Sequence, residues 1–203
     1  MIISEDEIRQ IAVNLLKVHN IDTSSAIDIK ELIKLSGKKI SWMVADLKGI
    51  NGFTCYNTNK DSYRMFFDES LINNCPARLN FTMAHEFGHI MLNHFSDLDN
   101  SILMHYEKER AANIFVDELL MPTVQVMKYK LNAWEISETY NVSLTAAYNK
   151  IRYMKQNSLY KKERAIATAL NIINRHHVPV YSFDFKLVEA LRDHWLDPDY
   201  SVL

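Results

Sequence analysis

The chain has 203 residues, 48% of them hydrophobic and 24% charged, with a formal net charge of −2. That balance excludes a disordered chain, and the slight acidity gives no electrostatic case for a nucleic-acid binder as a whole. Four glycines and four prolines are too few for a barrel or sandwich of many short strands and point to long helices.

Ser4 followed by Glu7 reads as a capping box opening a helix over about 5–19, with Ile8, Ile11, Leu15 and Leu16 at helical spacing. The opening residues are acidic where a signal peptide would be basic. Asp28 to Leu35 reads as a second helix, with Gly37 just past its end. Between 39 and 68 the pattern changes. Lys39–Val44, Gly52–Tyr56 and Ser62–Phe67 read as three strands, the last two joined by a loop over 57–62. Helices follow over about 77–95 and 106–120, separated by the polar loop Asp97-Leu-Asp-Asn-Ser. Met121-Pro122 ends the second. Thr123–Leu131, Ala133–Tyr140, Ser143–Gln156, 159–175 and 185–196 complete the helical series. No uncharged apolar run approaches a membrane span. Two cysteines, Cys55 and Cys75, are too few for a disulfide framework and suit a reducing compartment, so the expected location is cytoplasmic.

His85-Glu86-Phe87-Gly88-His89 is an HExxH pattern, which chance would produce in roughly 2% of chains of this composition. On a helix, residues four apart share a face, so both imidazoles can reach one zinc ion while Glu86 faces the open coordination position. The long HExxHxxGxxH form is excluded, because Leu92 and Phe95 stand where it needs Gly and His. His94, five residues after His89, is read as a helix-end residue favoured by the helix dipole rather than as a ligand. A third ligand is then sought among later acids: Asp97, Asp99, Glu107, Glu109, Asp117 and Glu118. Glu109 is favoured because it shares a helical face with Ala112, Val116 and Leu119, where an unpaired carboxylate is costly. Asn113 is a candidate to orient a ligand, and Thr82 to hold Glu86.

Arg78-Leu-Asn-Phe-Thr-Met-Ala-His-Glu-Phe-Gly-His, followed by Glu109-Arg-Ala-Ala-Asn-Ile-Phe-Val-Asp-Glu-Leu-Leu-Met-Pro122, resembles the ImmA/IrrE family of metallopeptidases. That family shows an FTxAHExGH helix and an ExxANxFAxxLLMP helix; Val116 replaces a usually small residue. The resemblance is specific over about 78–122. It implies an α+β, zincin-like domain with a small antiparallel or mixed sheet over 1–122, and an all-helical extension over 123–203. It also implies His85, His89 and Glu109 as Zn2+ ligands, Glu86 as catalytic acid/base, and a protein substrate such as a helix-turn-helix transcriptional repressor. Tyr106, His105 and Tyr63 are candidate oxyanion donors. The strand near Tyr63–Phe67 is a candidate exposed edge for an extended substrate, with Phe66 or Phe67 in the core.

Residues 134–156 resemble a helix-turn-helix segment, with Val142-Ser143 at the turn and Ala147 and Ile151 packing. The basic run Lys150, Arg152, Lys155, Lys161, Lys162, Arg164 is a candidate phosphate-binding face, although a solvated face is favoured over direct DNA binding. Trp134 and Trp195 are expected packing anchors. The rival reading is a non-catalytic, zinc-containing regulator or toxin–antitoxin component binding a repressor or DNA through its helical part.

Overall fold

A computed structural model describes residues 3–74, 76–95 and 102–156. The expected helices over 159–175 and 185–196 lie outside the described residues, as do Asp97, Asp99, Cys75, Trp195, Lys161, Lys162 and Arg164.

Helix α1 (Glu5–Val18) starts at the expected capping box. Ser4 Oγ accepts from the Glu7 amide at 3.3 Å, and Glu7 accepts from the Ser4 amide at 2.9 Å. Its apolar stripe, Ile8, Ala12, Leu15 and Leu16, is buried. Asp28 caps α2 (Ile29–Leu35), accepting from the amides of Lys30 and Glu31.

Strands β1 (Ile40–Ala45), β2 (Gly52–Asn57) and β3 (Ser62–Asp68) form one mixed sheet in the order β1-β3-β2. β1 runs parallel to β3, pairing Ile40 with Tyr63, and β2 runs antiparallel to it, pairing Gly52 with Phe67. The expectation of a substrate-accepting edge near Tyr63–Phe67 is therefore corrected. β3 is hydrogen-bonded on both sides, and the edges are β1 and β2. Alternation explains why β3 takes the centre: Tyr63, Met65 and Phe67 are buried, whereas Phe66 turns to the outer face and stacks on Phe53 at 4.8 Å.

After β3 a short helix α3 (Glu69–Asn74), which periodicity does not reveal, leads into α4 (Pro76–Met91). α4 lies against β2 and β3, and α5 (Ile102–Leu120) lies against α4 and α1. Two glycines set these distances. A Cβ at Gly52 would stand 2.9 Å from the Phe66 carbonyl oxygen and 2.9 Å from Thr82 Cγ2. A Cβ at Gly88 would stand 2.9 Å from a Phe115 ring carbon. Ala112, fully buried on α5, completes that close approach.

Three further helices follow: α6 (Thr123–Tyr129), α7 (Ala133–Tyr140) and α8 (Leu144–Gln156). A capping box between Asn132 and Glu135 opens α7, and Asn141, in left-handed backbone, ends it. Val142 and Ala147 are buried as expected of a helix–turn–helix pair. Trp134 is not a packing anchor. It is 63% exposed, because the buried face of α7 is carried by Ala133, Ile136 and Tyr140, one or two turns apart. A single hydrophobic cluster runs from Ile8 on α1 to Met154 on α8.

A buried ionic network crosses this core. Glu118 on α5 accepts from Arg9 at 3.1 and 2.8 Å, from Lys150 Nζ at 3.1 Å and from the Thr123 amide at 3.0 Å. Lys150 also donates to the Asp117 carbonyl at 3.2 Å and is only 2% exposed. Lys150 is thus removed from the candidate phosphate-binding face: a charge this deep stays only where it is paired. Arg152 and Lys155 remain exposed on α8.

Candidate metal centre

The HExxH residues fall in the second half of α4, and Glu109 falls in the middle of α5. The tight α4–α5 packing at Gly88 and Ala112 brings the three side chains together. His85 Nε2 and His89 Nε2 are 3.1 Å apart. Glu109 reaches His85 with Oε2 at 3.2 Å and His89 with Oε1 at 3.3 Å. A tetrahedral ion with bonds of about 2.0–2.1 Å separates its ligands by about 3.3–3.4 Å. The two imidazole nitrogens and the two Glu109 oxygens therefore approach one another at about the spacing such an ion needs. Among the described residues these three form the one His, Cys, Asp or Glu group compact enough to share a metal ion. Of the other acids considered, Glu118 is committed to Arg9 and Lys150, and Asp117 lies beside it. The adjoining imidazoles, His85 first and then His89, hold the Glu109 carboxyl well below the ordinary carboxylate range.

Glu86 is buried beside this group but does not join it. One of its oxygens accepts from Thr54 Oγ1 at 2.7 Å, across from β2. Thr82 was the expected holder of Glu86; its methyl faces Gly52 instead. Thr54 carries no sequence signal, because the contact joins residues 32 apart on a strand and a helix.

His94 stands just past the end of α4 and outside the three-residue group. Burial first, then the neighbouring His89, push its pKa down to about 4, so it is neutral at pH 7 and gains nothing from a helix dipole. Its Nδ1 lies 2.9 Å from His89 Nδ1.

The group opens into a cleft of about 830 Å3, walled by 49–54 from the β1–β2 loop and β2, by Arg78, Phe81 and Thr82 from α4, and by His105 and Asn113 from α5. Of the candidate oxyanion donors, His105 lines the cleft. Tyr106 is exposed, and Tyr63 is buried in a cluster with Tyr56 and Phe95. Ile50, Phe53, Phe81 and Phe95 give the walls an apolar share, and Arg78 gives a fixed positive charge.

A carboxylate poised next to a His-His-Glu group able to share a metal ion, in an open cleft, suits metal-assisted cleavage of an amide. The class so defined is that of metallopeptidases on an α+β fold. Residues 55–152, which hold every donor of the group, match the family model of the IrrE N-terminal-like domain, a peptidase family. Residues 55–152 thus carry the domain of the family that the two helical motifs resemble. No curated protein matches the chain.

Proposed function

We propose that this protein is a zinc-dependent endopeptidase that cleaves a specific regulatory protein in the cytoplasm, with a helix-turn-helix transcriptional repressor as the candidate substrate. The observation that carries the reading is the convergence of His85, His89 and Glu109, with contacts of 3.1–3.3 Å between them and Glu86 held beside them. Bound at that group, Zn2+ would lower the pKa of a coordinated water toward ~7 and polarise the scissile carbonyl. The residues of the chain supply the rest. Glu86 accepts the proton released as the C–O bond forms, and returns it to the amine as the C–N bond breaks. Thr54 fixes one Glu86 oxygen and leaves the other for that exchange. His105, on the cleft wall, is placed to donate to the developing oxyanion.

Strand β2 supports an endopeptidase. It is a sheet edge whose residues Gly52 to Thr54 line the cleft. An extended peptide laid along it adds as a further strand, bound through main-chain groups with no need of a free terminus. The repressor assignment rests on the family resemblance alone. In the test, purified protein is incubated with zinc and with repressors encoded near its gene, and the products are mapped. Cleavage that stops on chelation and is absent in Glu86→Gln, while that variant still binds stoichiometric zinc, is the expected result. Undiminished proteolysis by Glu86→Gln sinks the role assigned to Glu86. Repressor or DNA binding without cleavage by the wild type favours the non-catalytic regulator.

A further inference from the structure

α4 ends in a Schellman motif. The Asn93 amide donates to the Ile90 carbonyl at 3.1 Å, and the His94 amide donates to the His89 carbonyl at 3.0 Å. Asn93 takes the left-handed backbone this closure needs, at φ +57°. In such a motif the residue after the left-handed one folds back over the residue five before it, and a side-chain contact commonly joins the two. Here those residues are His94 and His89. The contact is polar: the two Nδ1 atoms are 2.9 Å apart, and the rings meet nearly edge to face, at 75° with centroids 4.9 Å apart. His89 meanwhile aims its other nitrogen, Nε2, at His85 and Glu109.

We propose that His94 is a positioning residue for the metal centre: it accepts the Nδ1 proton of His89, locks that ring with Nε2 bare, and so raises the affinity of the site for zinc. The proposal rests on the reading of His85, His89 and Glu109 as the metal group. A coordinating imidazole needs a bare lone pair on one nitrogen, and its other N–H commonly finds an acceptor that fixes the tautomer and the ring angle. His94 Nδ1 is the acceptor within reach of His89 Nδ1. Its own ring proton then resides on Nε2. A neutral imidazole in this place supplies a lone pair without adding a second anion next to Glu109. The C-terminal cap of α4 thereby does more than end a helix, since it carries the acceptor to the ligand.

The test is a zinc titration of the full chain against a chromogenic chelator. His94→Ala should weaken zinc binding by roughly 10- to 100-fold. His94→Asn, whose amide oxygen takes the place of Nδ1, should recover most of that loss. Asn93→Gly, which keeps the left-handed turn available, should bind as the wild type does. His94→Ala binding zinc within about twofold of the wild type overturns the proposal, as does an equal loss in the Ala and Asn variants. Should the alanine variant fail to fold, the zinc-loaded wild type decides by nitrogen NMR. A through-hydrogen-bond coupling between the two Nδ1 atoms supports the proposal, and a His89 Nδ1 proton that exchanges freely with water overturns it. The readout is separate from catalysis. A wild type that binds zinc but cleaves nothing removes the peptidase reading and leaves this one standing. A folded wild type that binds no zinc removes the metal reading and this proposal with it.

Discussion

Thr54 and Glu86 form the contact on which the proposed chemistry turns most finely. The 2.7 Å bond is charge-assisted and half-buried. Replacing Thr54 by Val keeps the volume and removes the donor. Turnover of a cleaved substrate should fall by roughly tenfold, about 1.4 kcal/mol of transition-state stabilisation, while zinc affinity stays unchanged. Steady-state kinetics beside a zinc titration check both halves, and an equal loss in the two would show that Thr54 supports the metal group instead. The legibility of single residues followed the range of their contacts. His85, Glu86 and His89 stand out because their spacing is itself the chemistry. Glu109 was reached through an apolar helical face. Thr54 was invisible, since a threonine on a strand gains its meaning only when a helix 32 residues later is laid across it. His94 is legible as a helix-end residue, but its contact with His89 is not. Five residues is the wrong helical spacing for a shared face, but the helix stops before it arrives.

At the scale of elements, α4 and α5 are held at a distance that only small residues allow. Gly88→Val would drive a branched side chain into the Phe115 ring, 2.9 Å from the first added carbon. It should cost about 1–3 kcal/mol in denaturant unfolding and also weaken zinc binding, because the same approach delivers Glu109 to the histidines. A variant that loses stability but keeps full zinc affinity would separate the packing from the site. The α5–α8 junction gives a pH prediction. Burial, aided by Glu118, raises the pKa of Asp117 to about 6, whereas Arg9 and Lys150 bring that of Glu118 down to about 2 despite its burial. The two act with opposite sign. The folded state holds an Asp117 proton that the unfolded chain has already lost, so this residue's contribution to stability declines as pH rises through about 6. The Glu118 contribution is complete above its unfolded value, near 4.3, and is lost as pH falls toward about 2. Asp117→Asn should therefore raise the melting midpoint at pH 8 and leave it nearly unchanged at pH 4. A midpoint lowered at pH 8 would show that the Asp117 charge is favourable in the fold. Most elements were legible from local signals, such as the Ser4–Glu7 capping box, Gly37 past the second helix and Met121-Pro122 at the end of α5. Strand order was not, for it depends on a parallel pairing between Ile40 and Tyr63 that skips over β2.

For the molecule as a whole, a centre assembled from two helices links metal occupancy to stability. On the proposed reading zinc binds the folded chain, so at a hundredfold excess over its dissociation constant it should add about 2.7 kcal/mol, or roughly 5–11 °C in the melting midpoint of a chain this size. Chelation should remove that increment from the wild type and leave His85→Ala unmoved. An identical chelator response in both would place the bound ion elsewhere. No helix among the described residues is long and apolar enough to cross a membrane. The core that positions the centre is shared with the later helices, which composition cannot reveal. A lysine in a basic run reads as solvated until Glu118 is seen opposite it.

That lysine has a practical consequence for anyone trimming the gene. A fragment stopped at Pro122 keeps every donor of the metal group yet discards Lys150, one of two cations opposing a carboxylate that is 3% exposed. It also uncovers the greasy flank that Ile136, Ala147 and Met154 had roofed. Such a minimal enzyme would be a peptidase on paper that precipitates in the tube, and expression should carry the reading frame at least to Gln156.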